Sequence, residues 1–588
     1  MRKTKIICTL GPAVDNENIL RSMIEEGMDV ARLNFSHGSH EEHLKRVNTL
    51  KRIREEVGKP VALLLDTKGP EIRLGRFEGG EVELNANENF ILTTQEILGN
   101  KRKVSVTYDK LPRFVEKGDR ILLDDGLVEL VVKELSDTDI ICRIINGGVI
   151  RDKKGLNVPG AKLEMPYLSD KDIEDIKFAV ENDFDYIAAS FTRSGSDIID
   201  IKTILEENGG QDIQIIAKIE NSEGVENIDE ILMVSDGLMV ARGDMGVEID
   251  YNELPRLQKL LIKKAMIHGK KSITATQMLD SMISKPRPTR AEISDVANAI
   301  YDGTSAIMLS GETSIGKYPV ESVKTMAKIA KSTEASIHYK KRFHQMELNE
   351  SISNVTNAIS HATCTTAHDL DAAAILTLTV SGTTARMISK FRPACPIIGC
   401  TTNEKVCRQL SMSWGVTPIL FEEKQTSDEL FEHAVEKAVE NGIVKSGDLV
   451  VLTAGLPMGI PGMTNILKVH IVGNILMKGT GVTKNTAIGT LCVCKNEEEA
   501  LKNFNGGEIL VIPETTNNLM GILRRAKGII TEKGGITSHA AIVGLSLDIP
   551  VICGAEHATK ILRSGITVTM DASTGIVYSG ANNGKNRE

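Results

Sequence analysis

A chain of 588 residues and 64.0 kDa is too long for one hydrophobic core, so several domains are expected. Hydrophobic residues at 41% and charged residues at 25% exclude a disordered or fibrous chain. The net charge of -9 argues against nonspecific nucleic-acid binding, and no run approaches the roughly 18 consecutive apolar residues of a membrane span.

The N-terminus "MRKTKIICTLGPAV" sets basic residues before an apolar patch, as a signal peptide does. The patch is short and runs into "DNEN" without a small-residue cleavage pattern, so it reads as a first strand and the protein as cytoplasmic. The 9 cysteines include no CxxC pair, and Cys492 and Cys494 are one residue apart. That usage suits reduced thiols.

Strand-like runs then recur, each followed by a helix-like stretch: "KIICTL", "DVARLNF", "VALLLDT", "YIAASF", "IQIIAKIE", "GLMVARGD", "KSITATQ" and "SAIMLSGE". Apolar runs rich in β-branched residues fit parallel strands buried on both faces. Amphipathic segments such as "ENILRSMIEEGM" and "NELPRLQKLLIKKAMIHG" lie between them. The pattern predicts an α/β fold with a (β/α)8 TIM barrel over 1–69 and 169–339, a doubly wound sheet being the alternative. Residues 70–168 break the regularity with short alternating runs and Gly/Asp turns, which predicts an inserted small β-barrel lid domain. Ser169 is the expected cap where helical periodicity resumes in "SDKDIEDIKFAVEN". An insertion in a β/α loop lies on the active-site face of a barrel. Residues 340–473 bring helices and new strands, an α/β domain, and 477–588 form a further β-and-α module.

If the barrel forms, polar groups at the C-terminal ends of its strands should converge. Those ends carry Arg32, Asn34 and Ser36, then Asp66 and Thr67, then Lys218 and Glu220. Arg242, Gly243 and Asp244 follow, then Thr274 and Thr276, then Ser310 and Glu312. Side chains two apart on a strand share a face, so Lys218 and Glu220 should leave the barrel together. Glu220 and Asp244 are hard oxygen donors for Mg²⁺ or Mn²⁺, whereas no Cys/His group has zinc spacing. Arg32, Arg73 and Lys218 offer positive charge to phosphate or carboxylate. Metal plus cations points to phosphoryl transfer. The other reading, an aldolase with Lys218 as Schiff base, needs a neutral lysine, and Glu220 beside it should keep it charged.

Several of these stretches resemble the pyruvate kinase family: "ARLNFSHGSHEEH", "LLLDTKGPEIR", "KGLNVPG", "AKIENSEGVENIDEI", "VARGDMGVEI", "ATQMLDSM" and "PTRAEISDVANAIYDGTSAIMLSGETSIGKYPVE". The likeness runs in order over residues 1 to about 473, and the added C-terminal module is similar to bacterial members. It implies a glycolytic, allosteric enzyme that transfers a phosphoryl group from phosphoenolpyruvate to ADP. By the resemblance, Glu220 and Asp244 hold the divalent metal and Lys218 stabilises the transferring group. Thr276 with Gly243 and Asp244 seats the substrate carboxylate, and Arg32 and Arg73 grip phosphate. Asn34, His37, Arg73 and Lys154 fall at nucleotide-contacting positions, Lys154 from the lid. Asn34, Ser36, Asp66 and Thr67 match the family's K⁺ site, and Glu71 is the residue type that goes with K⁺ dependence. Thr276, or a water chain near Ser310 and Glu312, is the expected proton route to carbon.

The loop "TVSGTTARM" joins a strand to a helix, where backbone amides can cradle phosphate. Spacing alone fits a capped turn equally well; the resemblance makes Ser381, Gly382, Thr383 and Thr384 candidates for a phosphorylated effector. "GGITSHAAIVGLSLDIPVICG" looks like the swivelling domain of phosphoenolpyruvate-utilising enzymes, with His539 at the phosphorylated position. No ATP-grasp-like nucleotide domain accompanies it, so His539 is expected to be structural. The region "PRPTRAEISDVANAI" lies near a subunit contact in the family, which implies a homotetramer.

Overall fold

The computed structural model describes residues 1–345, 354–422, 424, 426–445, 447–455, 464–473 and 475–579. Parts of the expected third domain (346–353 and 456–463 among them) and the end of the last one (580–588) therefore lie outside the described residues. The chain forms two compact units. The first contains residues 1–360 and 379–420; the second contains 361–378, 421–456 and the chain from 464 onward.

In the first unit eight parallel strands close a barrel: β1 (Lys5–Thr9), β2 (Val30–Asn34), β3 (Ala62–Asp66), β4 (Tyr186–Ala189), β5 (Gln214–Ile219), β6 (Gly237–Ala241), β7 (Lys271–Ala275) and β8 (Ala306–Leu309). β1 pairs with β2 on one side and with β8 on the other, Lys5 opposite Ala306, so the sheet has no edge and is not doubly wound. β1, β3, β5, β6 and β7 are buried at every residue, which is why they read as continuous apolar runs. Ile7, Val30, Leu64, Tyr186, Ile216, Met239 and Ile273 fill the interior. The opposite parity packs outward with Leu20, Met23, Leu50 and Ile53 of the surrounding helices.

Local chemistry starts and stops those helices. Ser39 and Glu42 form a capping box on the helix His40–Val57, Ser169 and Asp172 on Asp170–Glu181, and Thr289 and Glu292 on Arg290–Asp302. Ser169 thus caps the helix that reopens the barrel after the insertion. The insertion is a seven-stranded sheet whose outermost strands are Ile72–Arg73 and Lys103–Ser105, with a two-stranded ribbon of Glu81–Leu84 and Gly148–Arg151. Its own apolar core includes Phe90, Leu92, Ile121, Leu130 and Ile140.

The floor of the barrel is closed by the segment around the helix Glu404–Leu410. Met412 joins the interior cluster, and the Tyr186 hydroxyl donates to the Gln409 carbonyl. Arg408 donates to Asp185 (2.9 Å) and Asp183 (2.6 Å), while the Leu63 amide donates to the other oxygen of Asp185 (2.8 Å). Nearby, Ile397–Thr401 pairs in parallel with Val416–Leu420.

In the second unit Ala374–Leu378 lies parallel to Leu449–Ala454, which pairs antiparallel with Ile466–Ile471. The last residues form an eight-stranded mixed sheet centred on Thr486–Val493, Ile509–Ile512 and Gly528–Thr531. Among the described residues no helix is long and apolar enough to cross a membrane.

Asp185 is fully buried, and burial pushes its carboxyl up to about 6 even with Arg408 alongside. Removing that partner strands the charge, so Arg408→Met is expected to destabilise the first unit by about 3–5 kcal/mol. The double variant Asp185→Asn/Arg408→Met should recover part of that loss in urea unfolding followed by tryptophan fluorescence.

Candidate active site

β2, β3, β4 and β5 bring one charged cluster together at their C-terminal ends. Arg32 Nε donates to Asp66 Oδ2 (2.6 Å) and Arg32 Nη1 to Thr9 Oγ1 (2.9 Å). Lys218 Nζ donates to Asp66 Oδ1 (3.1 Å) and Ser190 Oγ (2.8 Å), and stands 3.0 Å from Glu220 Oε1. The shared face read from the spacing of Lys218 and Glu220 is therefore realised. Asp66 and Glu220 are 0% exposed and Lys218 is 9% exposed, so the charges must answer one another. Burial disfavours the Lys218 ammonium, but the Asp66 and Glu220 carboxylates outweigh it and hold the pKa above its usual value. A lysine so held is charged at neutral pH, which opposes Schiff-base chemistry.

Asp244, in the first turn of Arg242–Glu248, lies against Glu220. Burial first, and the Asp244 charge second, push Glu220 up to about 8 against the pull of Lys218. Glu220 Oε2 accepts from the Phe191 amide (2.6 Å), and Oε1 is buried against the Lys218 ammonium (3.0 Å). Two carboxylates crowded together, Glu220 and Asp244, fit a hard dication that also takes phosphate and water oxygens. Among the described residues no group of three or more His, Cys, Asp or Glu forms an all-protein cage.

The β7 end adds a strained turn. Thr276 and Gln277 have φ of 68° and 53°, unusual for residues carrying a Cβ and more so for a β-branched one. Arg242 holds this backbone by donating to the carbonyls of Ala275 (3.2 Å) and Thr276 (2.7 Å), and is itself paired with Asp295 (2.7 Å). The Gly243 amide donates to Thr276 Oγ1 (2.9 Å), so Gly243, Asp244 and Thr276 face one point. Thr274 turns away to Thr304 (3.0 Å). Glu312 accepts from the amides of Leu279 and Ser310, while Ser310 Oγ is buried without a partner.

Asn34 sits opposite Asp66 in the β2–β3 register and accepts from the Ser36 amide (3.1 Å). Ser36 lies past the strand in the following turn, so its place is set by that turn and not by strand parity. Thr67 accepts from the Ser190 amide (3.1 Å). Arg32, Asn34, His37, Thr276 and Ser310 line a cavity of about 520 Å³. Arg73 and Lys154 belong to the insertion: Arg73 pairs with Glu71 (2.7 Å) and Lys154 with Asp124 (2.8 Å). Asp125, also of the insertion, is coupled electrostatically to Asp244, Lys154 and Arg73, so the insertion faces the strand ends.

Sequence reasoning missed Ser190, Thr9, Arg242 as a backbone clamp, and Asp125. Ser190 was readable, since it follows "YIAA" at the same end of β4 where the other strands carry polar residues. The remaining candidates lie on other elements. Gly382 (φ 78°) starts the helix Thr383–Lys390, where Ser381 Oγ and Thr383 Oγ1 are 2.9 Å apart and Arg386 reaches Thr383 Oγ1 (3.1 Å) and the Ser381 carbonyl. Thr384 is buried. His539 opens the helix His539–Leu547 in the second unit, with Thr515 Oγ1 2.9 Å from Nδ1 and Asn517 Oδ1 3.0 Å from Nε2.

A closed (β/α)8 barrel with a charged lysine, paired carboxylates and arginine at its strand ends defines a barrel phosphotransferase. The family description "Pyruvate kinase, barrel domain" matches residues 1–323, and "Pyruvate kinase, alpha/beta domain" matches 357–470. "PEP-utilising enzyme, mobile domain" matches 504–575. The pyruvate kinase of Geobacillus stearothermophilus is 51% identical over 581 residues, 98% of this chain and 99% of its own, and that of Sporosarcina psychrophila is 50% identical over 582 residues, 99% of each. A crystal structure of a pyruvate kinase from Cryptosporidium parvum superposes with a TM-score of 0.77 at 40% identity, covering 80% of this chain and 96% of that one. The chain belongs to the pyruvate kinase family.

The Ser190 hydroxyl serves Lys218, Asp66 and the Thr67 carbonyl at once. Ser190→Ala is expected to cost about 1–3 kcal/mol of stability through the unsatisfied groups it leaves. Turnover should fall about tenfold as Lys218 loses a positioning contact, read by steady-state kinetics on the same preparation used for melting.

Proposed function

We propose that the chain transfers the phosphoryl group of phosphoenolpyruvate to ADP at the mouth of its barrel, giving ATP and pyruvate. The observation that carries this reading is the buried Lys218–Glu220 contact, with the Asp244 carboxylate crowded against Glu220. In the transfer a terminal oxygen of ADP bonds to phosphorus, the bond from phosphorus to the enol oxygen breaks, and the enolate takes a proton on carbon. Lys218 sets a fixed positive charge beside the transferring group and the departing enolate oxygen, where charge develops. Arg32 and Arg73 grip phosphate oxygens as forks. Thr276 Oγ1 with the backbone at Gly243 and Asp244 seats the carboxylate. His37, Asn34 and Lys154 take the nucleotide.

Glu220 and Asp244 would hold Mg²⁺ or Mn²⁺, and Asn34, Ser36, Asp66 and Thr67 would hold K⁺. Ions there supply positive charge against the phosphoryl oxygens. The oxygen donors of Asn34 and Asp66 are register neighbours, which supports the second assignment. For the proton, the unpartnered Ser310 hydroxyl favours a water chain beside Glu312, because Thr276 Oγ1 already donates to the Ala275 carbonyl (2.6 Å). The 381–384 loop, with its hydroxyls and Arg386, would take the phosphate of an effector. His539 would be structural, held by Thr515 and Asn517. A homotetramer is part of this reading; Ile293 and Tyr301 stay exposed on Arg290–Asp302.

The test is ADP-dependent pyruvate formation with Mg²⁺, with and without K⁺. Lys218→Met is expected to lower kcat about 10²–10³-fold, while His539→Ala stays near wild type and K⁺ stimulates. Loss with His539→Ala and survival of Lys218→Met would replace the barrel mechanism with a phosphohistidine one. Glu71→Lys, a residue that by the family resemblance replaces the charge of K⁺, should reduce the response to K⁺ in the same assay.

A further inference from the structure

At the barrel floor, far along β7 from Thr276, a cleft lies between the strand starts and the helix Thr383–Lys390. Five cations line it: Lys270, Lys271, Arg386, Lys390 and Arg392. Their hydrogen bonds go to neutral groups. Lys270 donates to the Ser235 carbonyl (2.6 Å), Lys271 to Gln214 (2.6 Å) and Lys390 to Asn357 (3.1 Å). Arg392 donates to the Gly303 carbonyl (2.9 Å) and Ser305 (3.1 Å) and lies over the Trp414 ring. Carbonyls and amides satisfy donors but supply no negative charge. The carboxylate that reaches Lys270 and Lys271 electrostatically is Asp236, which is engaged by the Ile215 amide (3.0 Å).

Two polar atoms are left over at this spot. Among the described residues Arg392 Nε and Ser413 Oγ are buried without a hydrogen-bond partner, and both residues line the cleft. A buried guanidinium with an unused N–H beside four like charges is costly unless an anion completes it. In keeping with this, burial lowers Arg392 to about 9 and pulls Lys271 well below its ordinary value, with the Arg386 charge adding to the effect on Lys271.

We propose that this cleft is an anion site for a single phosphate group, free or at the end of a phosphomonoester, separate from both the strand-end cluster and the 381–384 loop. Its enclosed part is about 10 Å³, room for a water-sized body, and its mouth is open. A tetrahedral oxyanion therefore docks at the mouth, met by the flexible stems of Lys270 and Lys390 and by the Arg392 fork, while Arg386 is engaged by the 381–384 loop. Bound there, it ties the end of the helix that begins at the effector loop to the start of the strand that ends at Thr276.

The experiment titrates the full chain with inorganic phosphate and, separately, glycerol phosphate, at constant ionic strength in chloride. Oxalate and Mg²⁺, which bring no phosphate, occupy the barrel mouth, a Lys218→Met chain is titrated beside wild type to control for phosphate bound there, and isothermal calorimetry and the melting temperature are read. Wild type and a Thr383→Asp chain, in which the effector loop repels phosphate, are both expected to bind saturably. Lys270→Gln/Lys390→Gln should weaken that binding at least about tenfold, the loss of two charge-assisted contacts. In chloride alone its melting temperature should match or exceed wild type, because like-charge crowding is relieved. If the double variant is poorly folded, Lys270→Gln alone should weaken binding several-fold. Tighter binding of glycerol phosphate marks the ligand as a phosphomonoester; equal or weaker binding marks free phosphate. No saturable binding in wild type, or wild-type binding by folded Lys270→Gln, overturns the site.

Discussion

The site depends on keeping an ammonium group charged inside a protein. Taking Lys218 out of water costs several kcal/mol, and one carboxylate seldom repays that in full. Here Asp66 and Glu220 flank it and Ser190 accepts its third contact. Asp66 is in turn shared with Arg32, so one buried carboxylate on β3 fixes two cations, one from the adjacent β2 and one from β5 across β4. The arrangement is rigid because each member would be stranded without the others. It also leaves two carboxylates, Glu220 and Asp244, crowded against each other beside the cations.

Barrel closure is what lets these groups meet. Strands of one parity point inward, and where the interior packing of Ile216, Met239 and Ile273 ends, the same parity delivers polar groups to the mouth. The turn after β7 departs from this rule. Its backbone crosses into the left-handed region at Thr276 and Gln277, held by Arg242 from the adjacent strand end. Such strain persists only where surrounding contacts over-determine it. The gain is a threonine hydroxyl set against the Gly243 amide.

Much of this was legible in the chain. Parallel strands buried on both faces leave uninterrupted apolar runs, so all eight barrel strands could be picked out, and the two-residue spacing of Lys218 and Glu220 fixed their shared face. Ser169 announced the helix at which the barrel resumes. What escaped were contacts made across the barrel by residues with no local peculiarity. Ser190 matters because Lys218 and Asp66, from other strands, converge on it. Arg242 clamps a carbonyl more than thirty positions away. Ser36 looked like a strand residue because parity counting has no signal for the turn that begins at Phe35. The strands of 340–473 could be read from their apolar runs, whereas the long-range contacts that group 379–420 with the barrel leave no periodicity.

The same electrostatic logic, applied to the barrel floor, separates two kinds of buried charge. Arg408 meets Asp185 and Asp183 and is complete; its contacts bind the floor segment to the strands. Among the described residues Arg392, from the same stretch of chain, has no carboxylate and keeps an unused Nε, and the four cations around it hydrogen-bond to carbonyl, amide and hydroxyl groups. A fold stabilised by its own pairs has no use for such an excess, because each added cation raises the cost of the next in a medium that screens poorly. Aromatic cover from Trp414 softens that cost for Arg392 without cancelling its charge. Charge held uncompensated in a cleft that opens to solvent is therefore best understood as half of an ion pair whose other half arrives from outside.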